Sequence, residues 1–494
     1  MSCTPWLSER DCDLDAFRAL VEHGTDVADY PHAAAVERNV LVYDGDRLRG
    51  GDVAEVGAEL VRALADGPGI VVFRGAFPDP SVVDRLTAVF DALIAGQRAA
   101  GTTAGDHFAK PGANDRVWNA LEKAARLDPE AFADYYANDL LALVSRAWLG
   151  PGYQVTSQVN VVNPGGAAQT AHRDYHLGFL SAEAAAAYPA HVHRLSPVLT
   201  LQGAVAHCDM PVESGPTMYL PHSQKYGPGY LAWRLPEFQA YFAERHVQLS
   251  LTRGDAVFFN PALFHAAGTN RSAGIRRTAN LLQVSSAFGR AMETVDREAV
   301  TNAVYPVLLK RAAEGADTAW LERVVAASAE GYPFPTNLDS DPPVDGLAPP
   351  SQADTVRREL REAWTPEALR DALRAGAQRR ASSKGPPLHG TSFPPRAPSP
   401  PPAPSPPRGF TATRSCSSPA AARAWVPRSR GPPSARARSW PSPAAARNRA
   451  RHWSRSWPRP AARRRSSGPT SRTRRRRRPP WPARSRRTAG WTAS

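Results

Sequence analysis

The chain has 494 residues, 42% of them apolar, which is enough for a sizeable core and excludes a purely fibrous or disordered protein. Its formal charge of +15 misleads: residues 381–494 hold 26 of the 61 Lys and Arg and none of the 46 Asp and Glu, so residues 1–380 are acidic. An acidic body argues against a specific nucleic-acid partner.

In chain order, apolar residues at three-and-four spacing predict amphipathic helices over 14–23, 53–66 and 80–99. GIVVFRG, residues 69–75, is a short β-branched run bounded by glycines and predicts a buried strand. Helical patterning returns over 129–148, closed by Gly150 and Pro151. The texture then changes to short strands over 153–162, 170–176, 198–206, 217–220, 246–252, 255–260, 263–266 and 276–286. Eight such strands without helices at parallel-sheet spacing predict an antiparallel barrel or sandwich. Helices are expected again over 294–313, 318–330 and 351–375.

The tail is of another kind. Residues 381–494 hold 23 of the 48 prolines and six of the 12 tryptophans, with a single leucine, Leu388, a single valine, Val426, and no isoleucine. Such a segment cannot bury enough apolar surface to fold, so disorder is expected from about 376 to 494 and a folded domain over 1–375. Arginine supplies 25 of its 26 basic residues. An Arg/Pro/Ala/Ser/Gly alphabet without acids is what a GC-rich gene gives when translated out of frame, and a shifted frame beginning near 375–395 is the reading adopted. As a real segment it would bind polyanions without specificity.

Cys3, Cys12, Cys208 and Cys416 are scattered without a C-x-x-C pair, which suits a reducing, cytoplasmic setting. Neither an export signal nor a membrane span is expected.

Two His-x-Asp tripeptides stand out, His172-Arg173-Asp174 and His207-Cys208-Asp209. On a strand, residues i and i+2 face one side, so such a pair can ligate one ion. A third ligand from a distant strand completes a two-histidine, one-carboxylate face with open positions for iron(II). In a double-stranded β-helix four strands separate the first two ligands from the distal histidine. That count holds from Asp174 to His265 and fails from Asp209. His172, Asp174 and His265 are therefore the expected catalytic metal ligands, and His207 a capping or core histidine. His176, His191, His193 and His222 read as surface or packing residues.

The region 69–290 resembles the phytanoyl-CoA dioxygenase family of iron(II), 2-oxoglutarate-dependent oxygenases. The motifs are PGG-x-x-Q-x-x-H-x-D at Pro164 to Asp174, ESGPTMYLPHSQKYG at 213–227 and RGDAVFFNPALFHAAGTNRSAGIRR at 253–277. The resemblance implies a mainly β fold with flanking helices, built on a double-stranded β-helix (jelly-roll, cupin-like) core at about 150–290. It implies iron(II) as cofactor, 2-oxoglutarate and O2 as cosubstrates, and hydroxylation of a C–H bond in a small-molecule substrate with release of succinate and CO2. It also implies an arginine about eleven residues beyond the distal histidine that grips the far carboxylate of 2-oxoglutarate. Arg276 has that offset, with Arg277, on the opposite strand face, as runner-up. Asp174 favours hydroxylation over halogenation, since related halogenases replace this carboxylate with a small residue. Ala267 stands where relatives often carry a hydroxyl.

Thr156, Gln158 and Asn160 alternate with apolar residues and either line the barrel mouth or face solvent; Gln202, within an apolar strand, is the stronger cosubstrate contact. Lys110 either reaches the site or is solvated. Residues 176–197 would overhang the opening as a lid. The rival functions are a metal-free β-helix serving as a binding module, and an iron oxygenase directed to desaturation or cyclisation. Joint retention of the three ligands and Arg276 favours an oxygenase.

Overall fold

The structure is a computed structural model and describes residues 5–101, 114–344 and 346–381. Lys110, Cys3, Cys416 and the basic tail lie outside the described residues. Ten strands are present among them: β1 Ala35–Glu37, β2 Val40–Asp44, β3 Ile70–Arg74, β4 Asn114–Val117, β5 Gln154–Val162, β6 Thr200–Ala206, β7 Met218–Leu220, β8 Ala256–Phe259, β9 Phe264–Ala266 and β10 Arg277–Ser285. Eight form one sheet in the order β1-β2-β3-β8-β6-β10-β5-β4, and β7 pairs with β9.

The sheet is mixed, because β2 and β3 run parallel while its other pairs are antiparallel. The expectation of a purely antiparallel assembly is corrected at that edge. Fifteen α-helices accompany the ten strands, so the described chain is a large mixed sheet with flanking helices rather than mainly β.

Period-two alternation gives each central strand two different faces. Val155, Val159 and Val161 of β5, Leu201 and Val205 of β6, Phe258 of β8 and Leu282 and Val284 of β10 pack into the principal core. The helices Val53–Ala65, Pro80–Ala99, Asp139–Leu149 and Arg297–Ala313 supply the other side of that core. The opposite residues, Gln158 and Asn160, Gln202 and Ala204, Val257 and Phe259, and Arg277, Ala279, Leu281 and Gln283, line a cavity.

Helix ends follow their capping residues. Asp52 accepts from the Ala54 and Glu55 amides, and Gly150, at φ 77°, closes Asp139–Leu149 as predicted. The single helical pattern expected over 129–148 is two helices, Pro129–Tyr136 and Asp139–Leu149, because the Asn138 carboxamide caps the second and starts it afresh. The strands expected at 170–176 and 246–252 are reduced to isolated bridges, His172 with His265, Tyr219 with Val247 and Met210 with Leu251.

His207 is a core histidine just beyond β6. Thr87 Oγ1 donates to the Val83 carbonyl at 2.7 Å, so it accepts from His207 Nδ1 at 2.7 Å, while Tyr135 OH lies 3.0 Å from Nε2. Burial depresses its pKa to about 3. The native state thus keeps His207 neutral while the unfolded chain charges it below about pH 6.5. The stabilisation is complete above that pH and is lost as the pH falls from 6.5 toward 3, at about 1.4 kcal/mol per unit. Urea unfolding at pH 7.5 and 5.5 should therefore show the native protein losing about 1.4 kcal/mol more than His207→Gln.

Candidate functional site

The site is assembled by a backbone exchange. His172 N donates to His265 O at 3.0 Å and His265 N to His172 O at 3.1 Å, so the loop after β5 is laid against β9 as an antiparallel pair. Asp174 N donates to Pro261 O at 3.2 Å, fixing the next residue of the same face. Between them Arg173 turns away. Its buried guanidinium donates to the Ser223 carbonyl at 2.5 Å and the Tyr226 carbonyl at 3.0 Å, between the Tyr230 and Phe264 rings at 5.2 Å each. Gly229 permits this approach, since a Cβ there would overlap the guanidinium. Tyr175 and His176, at φ 62° and 40°, then turn the chain away from the ligand face.

The three expected ligands converge. Among the described residues they form a group whose ligating atoms all lie within 4.8 Å of one another. His172 Nε2 is 3.7 Å from Asp174 Oδ1, and His265 Nε2 is 3.4 Å from Asp174 Oδ2. Each imidazole has its Nδ1 against a backbone carbonyl, Thr170 at 2.8 Å and Leu263 at 2.9 Å. A carbonyl only accepts, so each Nδ1 carries a proton and donates, and each Nε2 faces the Asp174 carboxylate. Gln202 Nε2 donates to Asp174 Oδ2 at 2.5 Å. Burial alone would raise the Asp174 carboxyl, but the His172 and His265 imidazoles and the Gln202 amide hold it well below the usual carboxylate range. Burial lowers His172 from its ordinary value and outweighs the pull of Asp174. Both shifts leave the donors in the forms that bind a cation.

The triad opens onto a cavity of about 760 Å³. Gln202, Gln158 and Asn160 line it as the sequence suggested. Thr156 does not reach it: its hydroxyl is fully buried and donates to Gln283 O at 3.0 Å. Phe179, half-exposed, and Gly178 border the cavity from the segment over 176–197, whose helices are Ala182–Ala186 and Ala190–Leu195.

The structure separates the two arginines. Arg276 is outside the cavity; its side chain is 47% exposed and lies 3.9 Å from both Asp91 and Asp115. Arg277 is the one that lines the cavity, buried, with its guanidinium donating to the Gly215 carbonyl. Burial brings its pKa down to about 10, still far above neutrality, so the charge persists. On a strand one residue reverses the face, so the two neighbours point to opposite sides.

Of the other histidines, His193 contacts the Ala185 carbonyl at 3.0 Å, His176 the Ser196 hydroxyl at 3.1 Å and His222 Thr25 and Lys225 at 3.0 and 2.9 Å. Arg116, Trp118, Trp233 and Met292 also line the cavity and lie outside the three motifs, whereas Tyr219 and Phe259 fall within those at 213–227 and 253–277.

A family model described as Phytanoyl-CoA dioxygenase (PhyH) matches residues 65–278, which hold β3, the triad and Arg277. This region is similar to the phytanoyl-CoA dioxygenase family. Solved structures similar to this chain include the non-heme alpha-ketoglutarate-dependent epimerase SnoN from nogalamycin biosynthesis, at 18% identity over 48% of this chain and 81% of that one, TM-score 0.33. AviO1 from Streptomyces viridochromogenes Tue57 is 19% identical over 48% and 97%, TM-score 0.34. The non-heme alpha-ketoglutarate-dependent carbocyclase SnoK from nogalamycin biosynthesis is 19% identical over 48% and 87%, TM-score 0.34. Comparison with curated proteins gives no match.

Two imidazoles and one carboxylate suit iron(II) and leave positions for a bidentate cosubstrate and oxygen. In anaerobic titration, iron(II) should bind the native protein at one site, and His172→Ala or Asp174→Ala should weaken it by about a hundredfold or more. Because burial keeps His172 neutral, affinity should hold as the pH is lowered to about 6.5 and fall only below it.

Proposed function

We propose that residues 1–375 form an iron(II)- and 2-oxoglutarate-dependent oxygenase domain, with a double-stranded β-helix core at about 150–290, that hydroxylates a C–H bond of a small molecule. The observation that carries this reading is the placement of His172, Asp174, His265 and the buried Arg277 around one cavity. The family match over 65–278 supports the cofactor set. The pairing of the large sheet with β7–β9 across the cavity supports the core architecture.

His172, Asp174 and His265 would hold the metal, and Arg277 would fix the far carboxylate of 2-oxoglutarate. A fork-shaped guanidinium matches a carboxylate bidentately, and the nearly dry setting strengthens the pair. Gln202 keeps the Asp174 carboxylate oriented. Asn160, opposite Ala279, and Gln158, opposite Leu281, supply further polar contacts along β5. When bound, the iron supplies the redox chemistry by which 2-oxoglutarate, O2 and R–H give succinate, CO2 and R–OH. Phe179 and the apolar strand faces exclude water from that space. Asp174 retains the carboxylate that favours hydroxylation over halide transfer.

Among the described residues no helix is long and apolar enough to cross a membrane. Cys12 and Cys208 are both free thiols, which fits a reducing cytoplasm.

With iron(II) restored anaerobically, exposure to O2 should release succinate from 2-oxoglutarate, and chelation or His172→Ala should abolish it. Absence of succinate under every condition would refute the oxygenase reading. Arg277→Gln should raise the KM for 2-oxoglutarate roughly thirtyfold or more, the cost of losing a charged hydrogen-bonded pair of about 2 kcal/mol or above, whereas Arg276→Gln should leave it near the native value.

A further inference from the structure

The cavity is larger than its proposed cosubstrate needs. About 760 Å³ is the size of pockets that hold drug-sized ligands, roughly 300–1,000 Å³, and a five-carbon diacid fills a small part of it. Along β10 the cavity-facing residues run Arg277, Ala279, Leu281, Gln283. Six residues of extended strand span about 20 Å, so the Gln283 end is beyond a diacid anchored at Arg277.

That distal end is built from carboxamides. The register sets Gln283 opposite Gln202 on β6, and both side chains are more than nine-tenths buried. Gln202 uses its amide nitrogen on Asp174, but its Oε1 has no partner, and neither has Gln283 Oε1. Two buried, unmatched acceptors on one cavity wall are costly unless a ligand donates to them. Val72, Leu281 and Phe259 supply apolar surface to the same cavity.

The charges in the described lining are meanwhile committed. Arg173 is spent on the Ser223 and Tyr226 carbonyls. Arg116 donates to Gln158 Oε1 at 3.1 Å, lies 4.6 Å from the Trp118 ring and interacts electrostatically with Glu293. Arg277 serves the cosubstrate. We infer that the primary substrate is an uncharged molecule with alcohol groups on a largely apolar skeleton, held by O–H donation to Gln283 and Gln202. The inference rests on the oxygenase reading and adds the substrate class to it. An alcohol on Gln202 Oε1 would place the adjacent carbon beside Asp174, next to the reacting centre.

The test uses the full chain with iron(II) and 2-oxoglutarate bound, under anaerobic conditions. The probes are a fragment set in which each ring skeleton is present as alcohol, methyl ether and carboxylate. Binding is read by tryptophan fluorescence, since Trp118 and Trp233 line the cavity. Alcohols should bind about tenfold or more tightly than their matched ethers and carboxylates. Gln283→Met should erase that preference without lowering the melting temperature, because it removes an unmatched acceptor; a purely structural glutamine would lower it. Hits spread evenly over the three classes, concentrated in the carboxylates, or absent altogether would overturn the inference. Binding of 2-oxoglutarate, followed separately by its absorption with iron(II), reports whether the underlying oxygenase reading stands.

Discussion

The reciprocal backbone exchange between His172 and His265 is the constraint on which the site depends. The two residues are 93 positions apart, yet the paired N–H and C=O groups set them side by side with ring centroids 4.5 Å apart. The same strand-like geometry sends His172 and Asp174 to one side and Arg173 to the other. Arg173 then converts the alternation into an anchor, because its buried cation donates to the carbonyls of 223 and 226. The ligand face is preorganised by contacts that lie behind it, in the manner of an outer shell that orients metal-binding groups.

Much of this was legible in the sequence, and the limits are instructive. The His-x-Asp pair and the distal histidine could be chosen by counting strands, although 170–176, which carries the pair, and 246–252, one of the four segments counted between, turned out to be isolated bridges. Three strands, β6, β7 and β8, lie between Asp174 and His265, and the bridges of Val247 and Leu251 stand where the fourth was counted. Arg276 was preferred to Arg277 because an offset in sequence says nothing about strand phase, and a single step along β10 exchanges a cavity position for the outer face. β1 and β2 went unrecognised, short segments at the far edge of the sheet. β4 was hidden by Asn114, Asp115 and Arg116, which are polar for reasons of the cavity and the neighbouring loops rather than of strand formation.

His207 shows the reverse case. Its His-x-Asp context mimicked a ligand pair, but the histidine sits on the helix side of the sheet between Thr87 and Tyr135. Tyr135 also receives the Asn280 amide, and Asn280 reaches Tyr136, which donates to Ser157. A chain of buried donors and acceptors of this kind specifies how helices seat on a sheet. Its cost is dependence on one neutral imidazole, and hence on pH.

The central sheet behaves as a partition with independent sides. Because β5, β6, β8 and β10 each show alternate side chains to the helices and to the cavity, half of their positions hold the fold while the other half meet ligands. Substitution on the ligand side leaves the packing side untouched. Such a wall lets one scaffold be refitted for different molecules while its framework stays fixed, and the phase of β10 decides which residues are open to that change.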